Sequence, residues 1–157
     1  MQVQVVRSAR RSKTVQARQV AGVLRVSIPA AMSKAEEEHW VALMVQRMGL
    51  RATTDRIDLA ERAAVLARRY QLRRPLSIRW VSNQEGRWGS CTPADGSIRI
   101  STRVADEPGW VLDYVIIHEL AHLHRDRHDA TFWALVNRYP KAERARGFLI
   151  ARGLEPQ

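Results

Sequence analysis

Residues 113–122 read Asp113-Tyr114-Val115-Ile116-Ile117-His118-Glu119-Leu120-Ala121-His122. From Trp110 onward this run is apolar on nearly every side, and that pattern predicts a central, buried helix. Its polar residues then need an explanation, because two imidazoles and a carboxylate in an apolar setting carry a desolvation cost unless something satisfies them. His118 and His122 stand four apart, so on a helix both rings share one face about a turn apart. Nitrogens on that spacing can converge on one metal ion, and neutral imidazole is a good ligand for Zn2+. Glu119 is badly placed as a further ligand. It can instead reach a water held by the metal, which is the position a general base needs.

A catalytic zinc site takes a third protein ligand and keeps one position open. His128 follows His122 with five residues between, so the helix must end near His124 for the chain to swing back. Glu143, on a later helix, is the rival ligand. His124 is a weaker candidate, since two residues past His122 it points away from the shared face. Zinc would lower the pKa of its water to about 7 and polarise the scissile carbonyl or phosphoryl oxygen, with Glu119 shuttling the proton. Tyr139, His124 and Arg87 stand open as donors to the developing oxyanion. Asp113, Asp126 and Asp129 are candidates to hold the outer nitrogens of the histidine rings.

Outward from this helix, strands are expected at Leu76–Ser82, Gly86–Cys91 and Ser97–Thr102, the last two joined by the turn-rich Thr92-Pro93-Ala94-Asp95-Gly96. Asp106 offers a cap before the central helix, with Pro108 near its start. Asp129 can cap a further helix through Phe132 and Val136. Pro140 interrupts, and a last helix runs to Arg152 with Gly153 as its stop. Towards the N-terminus, Val3, Val5 and Val6 begin one strand. Thr14–Val20 and Val23–Ile28 read as a hairpin turning at Ala21-Gly22. Ser33 with Glu36 forms a capping box for a helix whose inner face is expected at Trp40, Leu43, Met44 and Met48. A second helix is expected to start after Asp55 and run to about Tyr70, with Ile57, Ala60, Ala64 and Ala67 inward. Strands, two helices, strands and helices again give an α+β class: a small mixed sheet packed with helices, one of them buried and carrying the site.

The 157 residues suit a single domain over 1–157, strand-rich in about 1–30 and with the metal-site core in about 76–140. One cysteine, Cys91, excludes an internal disulfide and a Cys-rich zinc site, and fits a reducing, cytoplasmic setting. The sequence has no apolar secretory core near its start and no stretch long enough to span a membrane. Twenty-six basic residues against 16 acidic ones leave a net charge of +10. That surplus favours anionic partners such as nucleic acid, nucleotides or acidic proteins, although its skew towards Arg can reflect genome composition instead.

With Arg87-Trp88-Gly89-Ser90-Cys91, the central DYVIIHELAHL and His128-Asp129-Ala130-Thr131-Phe132-Trp133 in this order, the chain resembles the YgjP-like metallopeptidase family, a relative of the SprT-like and WLM zinc-protease group. SARRSKTV, VLRVSIP and SKAEEEHW extend the likeness through the N-terminal third. The resemblance implies a zincin-like fold, His118, His122 and His128 as zinc ligands, and Glu119 as catalytic acid and base. It departs at Ser101, where the family usually has Asn. Trp88, Gly89, Ser90 and Cys91 can line the site or offer an edge strand to an extended substrate; equally, Trp88 can be core, Gly89 a point of close approach and Cys91 a small buried hydrophobe. The leading expectation is a zinc metallopeptidase acting on a peptide or protein. A nucleotide (nucleoside triphosphate) or phosphoester hydrolase on the same metal is the alternative, and a zinc-stabilised nucleic-acid-binding module a further one.

Overall fold

The computed structural model describes residues 1–153. It contains two compact units, Met1–Arg51 and Ala52–Gln157. The first holds β1 (Gln2–Ser8), β2 (Gln16–Val20), β3 (Val23–Pro29) and most of α1 (Lys34–Thr54). β1 and β3 are parallel, and β2 closes antiparallel on the other side of β3 through the Ala21-Gly22 turn, where both residues have positive φ. Leu24, Val26 and Ile28 alternate inward from β3 and are fully buried. Met44, Val45, Met48 and Val41 of α1 pack on them. Trp40 and Leu43, expected on that inner face, lie outside this cluster; Val41 and Val45, four apart, join Met44 and Met48 there instead. The capping box is present: Ser33 N–H donates to Glu36 at 2.9 Å, and Glu36 N–H donates to the Ser33 hydroxyl oxygen at 3.2 Å.

The second unit contains α2 (Leu59–Tyr70), β4 (Ser77–Val81), β5 (Gly89–Thr92), β6 (Ser97–Ser101), α3 (Gly109–His122), α4 (Ala130–Val136) and α5 (Ala142–Ala151). α2 starts three residues later than Asp55 would allow, because Asp58 is its cap and accepts from Glu61 N–H at 2.9 Å. The buried face carries Leu59, Ala63, Leu66 and Ala67, at i, i+4, i+7 and i+8, with the two leucines supplying its bulk, while Ala60 is exposed. β4 runs parallel to β6, and β5 lies antiparallel to β6 at the sheet edge. The strands thus divide between two small mixed sheets within the α+β class.

A short 3-10 helix, Thr102–Asp106, follows β6. Its cap is Ser101, 1% exposed, whose hydroxyl accepts from Arg103 N–H. Asp106 therefore ends this turn and does not cap α3, which begins after Pro108. α3 is the buried helix expected: Val111, Leu112 and Tyr114 through Ala121 are all buried. Burying a large apolar side chain stabilises a fold by about 1.5–3 kcal/mol, so this helix anchors the unit's core, with α2, α4, α5 and β5 around it. Among the described residues no helix is long and apolar enough to cross a membrane.

Candidate active site

α3 ends at His122, and the chain turns without glycine through Leu123–Arg127 to bring His128 back. Two contacts brace this excursion. His122 Nδ1 lies 3.1 Å from the Arg125 carbonyl, which can only accept, so Nδ1 carries the proton and Nε2 keeps its lone pair. The Arg125 guanidinium pairs with Asp129 at 2.7 Å, and Asp129 caps α4 by accepting from Phe132 N–H at 3.0 Å.

The three histidines meet through their Nε2 atoms. His128 Nε2 stands 3.3 Å from that of His118 and 3.0 Å from that of His122. Each residue offers a ligand atom within 4.8 Å of the others, so one ion can contact all three. Ligands at about 2.0–2.1 Å from a tetrahedral zinc lie roughly 3.4 Å apart, which the observed spacing approaches. Phe132, fully buried, packs its ring on all three imidazoles at 4.5–4.9 Å between centroids. Burial lowers the pKa of His122 and of His128, with the neighbouring His122 charge adding to the effect on His128. Both shifts favour the neutral ring, the form that can ligate a metal.

Glu119 is 5% exposed, and burial pushes its carboxyl up to about 8, against the pull of Arg87. Space for it is made by Gly89. A Cβ on Gly89 would fall 2.9 Å from Glu119 Oε1 and 3.2 Å from the Arg99 carbonyl oxygen. Gly89 thus serves close approach, and Trp88 joins the core with Arg103 stacked 5.1 Å above its ring. The Cys91 thiol is half-buried and pushed up to about 12, first by burial and then by the Glu119 charge, which leaves it a poor nucleophile.

The three histidines, Glu119, Trp88, Gly89 and Cys91 line a cavity of about 280 Å³ between α3 and β5. Arg87 and Asp126 reach it. Glu143 is exposed, lies outside the histidine cluster and does not line the cavity. His124 faces Arg73, accepting from its N–H at 2.8 Å, and Tyr139 donates to the Trp110 carbonyl at 3.1 Å. Neither lines the cavity, which leaves Arg87 of the three oxyanion donors considered. Asp113 pairs with Arg62 and Asp129 with Arg125; a backbone carbonyl, not an Asp, holds the outer nitrogen of His122. Tyr114 and Leu149, absent from the sequence reading of the site, also line the cavity. Tyr114 was within reach of that reading, since it precedes His118 by four and shares its helix face.

The model of the YgjP-like metallopeptidase domain matches residues 24–149. Among solved structures, the metallopeptidase zymogen of Pyrococcus abyssi abylysin superposes with a TM-score of 0.54 at 18% identity, over 62% of this chain and 97% of that one. At that identity the likeness is one of fold. No curated protein sequence matches the chain. With a family match that begins in β3 and ends in α5, the chain belongs to the YgjP-like metallopeptidase domain family and is a metallopeptidase-like hydrolase.

Proposed function

We propose that the protein is a zinc-dependent peptidase in which His118, His122 and His128 hold the metal and Glu119 handles the proton. The observation that carries this reading is the convergence of three Nε2 atoms beside a buried glutamate on one cavity. The donor set fits the ion: neutral imidazoles, one with its tautomer fixed by a carbonyl. When bound, zinc supplies Lewis acidity, which polarises an acyl oxygen and acidifies water.

The chain's own residues do the rest. Glu119 accepts the proton of the attacking water and passes it to the leaving nitrogen. Its buried site favours the neutral acid, which suits the delivery step, while Arg87 and any cation nearby restore the carboxylate for the first. Arg87 at the cavity wall is placed to stabilise negative charge on the substrate oxygen. β5 pairs only with β6 among the described strands, so its outer edge can take an extended peptide as an added strand. Residues 1–157 then act as one functional domain, a reading supported by the family match running from the first unit into the second. The half-buried single cysteine is consistent with a cytoplasmic setting. Nucleotide hydrolysis is less well supported, because Arg87 is the one Arg or Lys among the cavity-lining residues.

The test pairs metal analysis with digestion of an unfolded protein. Zinc should co-purify at about one ion per chain. Glu119→Gln should keep the zinc and lose roughly 10²–10⁴-fold in proteolysis. A zinc-free protein, an active Glu119→Gln variant, or hydrolysis confined to nucleoside triphosphates would overturn the reading.

A further inference from the structure

The outer face of the second sheet carries charge that the fold does not use. Strand register places Ser90, Arg99 and Arg79 in one row across β5, β6 and β4. Directly paired residues emerge on the same face, and positions two away along each strand join them. Thr92, Ser97 and Ser77 form that next row. The alternate rows, Cys91 with Ile98 and Ile78, and Gly89 with Ile100 and Trp80, face the core: Ile98 and Ile100 are fully buried, and Ile78, Trp80 and Cys91 pack against that core. The outer face is thus arginine and hydroxyl.

Arg79 and Arg99 are like charges in directly opposed positions, an arrangement that destabilises a sheet. Neither they nor Arg87 enters an ion pair among the described residues, whereas Arg62, Arg125 and Arg152 all do. The acidic group that acts on Arg99 is Asp95, in the β5–β6 turn, and its Oδ1 is already engaged by Ser97 N–H at 2.9 Å. Two clefts of about 530 Å³ each run along this face. One is lined by Arg79, Gln84 and Arg99, the other by Gln84, Arg87, Ser90 and Arg99. Arg87 and Ser90 also line the catalytic cavity, so the basic groove leads into it.

We propose that this groove guides an acidic segment of the peptide substrate into the catalytic cleft. The inference rests on the peptidase reading for its destination, and it names the class of substrate that reading leaves open. Two features favour peptide over nucleic acid. The outer rows carry no aromatic ring on which bases could stack, as single-strand binding usually requires, and Trp80, which borders one cleft, packs against the core. β5, whose Ser90 lines this groove, pairs only with β6 among the described strands, so its outer edge offers backbone donors and acceptors that an extended peptide can match and a sugar–phosphate backbone without N–H groups cannot.

Binding of labelled peptides, read by fluorescence anisotropy with the zinc-loaded Glu119→Gln protein, tests this without turnover. Its failure is therefore separate from failure of the proteolysis assay. The probes are a glutamate/serine peptide, a glutamine/serine peptide of equal length, and an oligothymidylate of equal charge. The glutamate peptide should bind tightest, and R79S/R99S should weaken it about fivefold or more. The control R68S/R74S, of equal charge loss elsewhere, should change it less than about twofold. Single Arg79→Ser and Arg99→Ser variants carry the test if the double variant does not fold by circular dichroism. Equal losses in both pairs, equal binding of both peptides, or tighter binding of the oligothymidylate would each overturn the proposal.

Discussion

The two sheets are built to one plan and put to different uses. In each, a first strand pairs parallel with the third, and the second closes antiparallel as a hairpin. The fourth residue of the third strand is a fully buried aliphatic, Val26 in one sheet and Ile100 in the other. Opposite Val26 stands Ala17, whose methyl packs into the first unit's core. Opposite Ile100 stands Gly89, which has no side chain, and the space is taken by the Glu119 carboxylate. One missing methyl separates a hairpin that packs a core from one that walls the histidine-lined cavity. The rows beside them each oppose two arginines, Arg25 with Arg18 in the first sheet and Arg99 with Arg79 in the second, and in the first Arg25 also donates to Gln4 at 3.4 Å.

The largest effect should come from erasing that difference. Gly89→Val would drive a branched side chain into Glu119 and the Arg99 carbonyl, and proteolysis should fall about a hundredfold or more, as when a catalytic group is misplaced by an ångström. Ala17→Val, the matching change in the first sheet, should leave kcat/KM within about twofold and cost at most about 1–3 kcal/mol of stability. Equal losses of activity in the two would break the comparison. A smaller effect, on stability alone, is expected of Leu24→Ala. Emptying that fully buried position should cost about 2–5 kcal/mol in denaturant unfolding, with zinc content unchanged. Loss of zinc in that variant would show that the first sheet also supports the metal site.

A further effect lies in the pH dependence of the metal-stripped protein. The Glu119 carboxyl rises from 4.5 to about 8 in the fold, so the folded state binds its proton more readily across that window. Its contribution therefore falls as pH rises from 4.5 through 8, and Glu119→Gln should remove this decline. His122 and His128 act in the opposite sense. Their pKa values are lowered from 6.5, so their contribution is lost as pH falls through the ordinary histidine range. Thermal melts of parent and Glu119→Gln in chelator from pH 5 to 9 should cross in slope; parallel curves would remove Glu119 from the account.

The chemistry-bearing helix was legible because an apolar segment has few reasons to hold two histidines and a glutamate at helical spacing. His128 was legible from chain length alone, since the turn back to His118 needs only a few residues. What escaped the sequence depended on contacts between distant elements. Tyr139 looked as available as Arg87, but its hydroxyl is committed to the Trp110 carbonyl. The start of α2 was displaced because Asp55 and Asp58 both precede the apolar run, and its inward face was misread because alanines occur on several faces while Leu59 and Leu66 mark the buried one. The 3-10 turn after β6 left no sequence signal beyond Ser101, where a departure from the family pattern turned out to sit at a helix cap.

The excursion from His122 to His128 has one more consequence. The Arg125 carbonyl accepts from one imidazole, its guanidinium pairs with the residue that caps α4, and α4 carries the Phe132 ring that packs on all three histidines. The cradle is held by its own struts, not by whatever fills it. In zinc fingers, binding the ion and folding are one event. The struts predict a different order for an ion held here: a chelator should take it out and a later supply put it back without the chain refolding, which would make metal availability a throttle on activity.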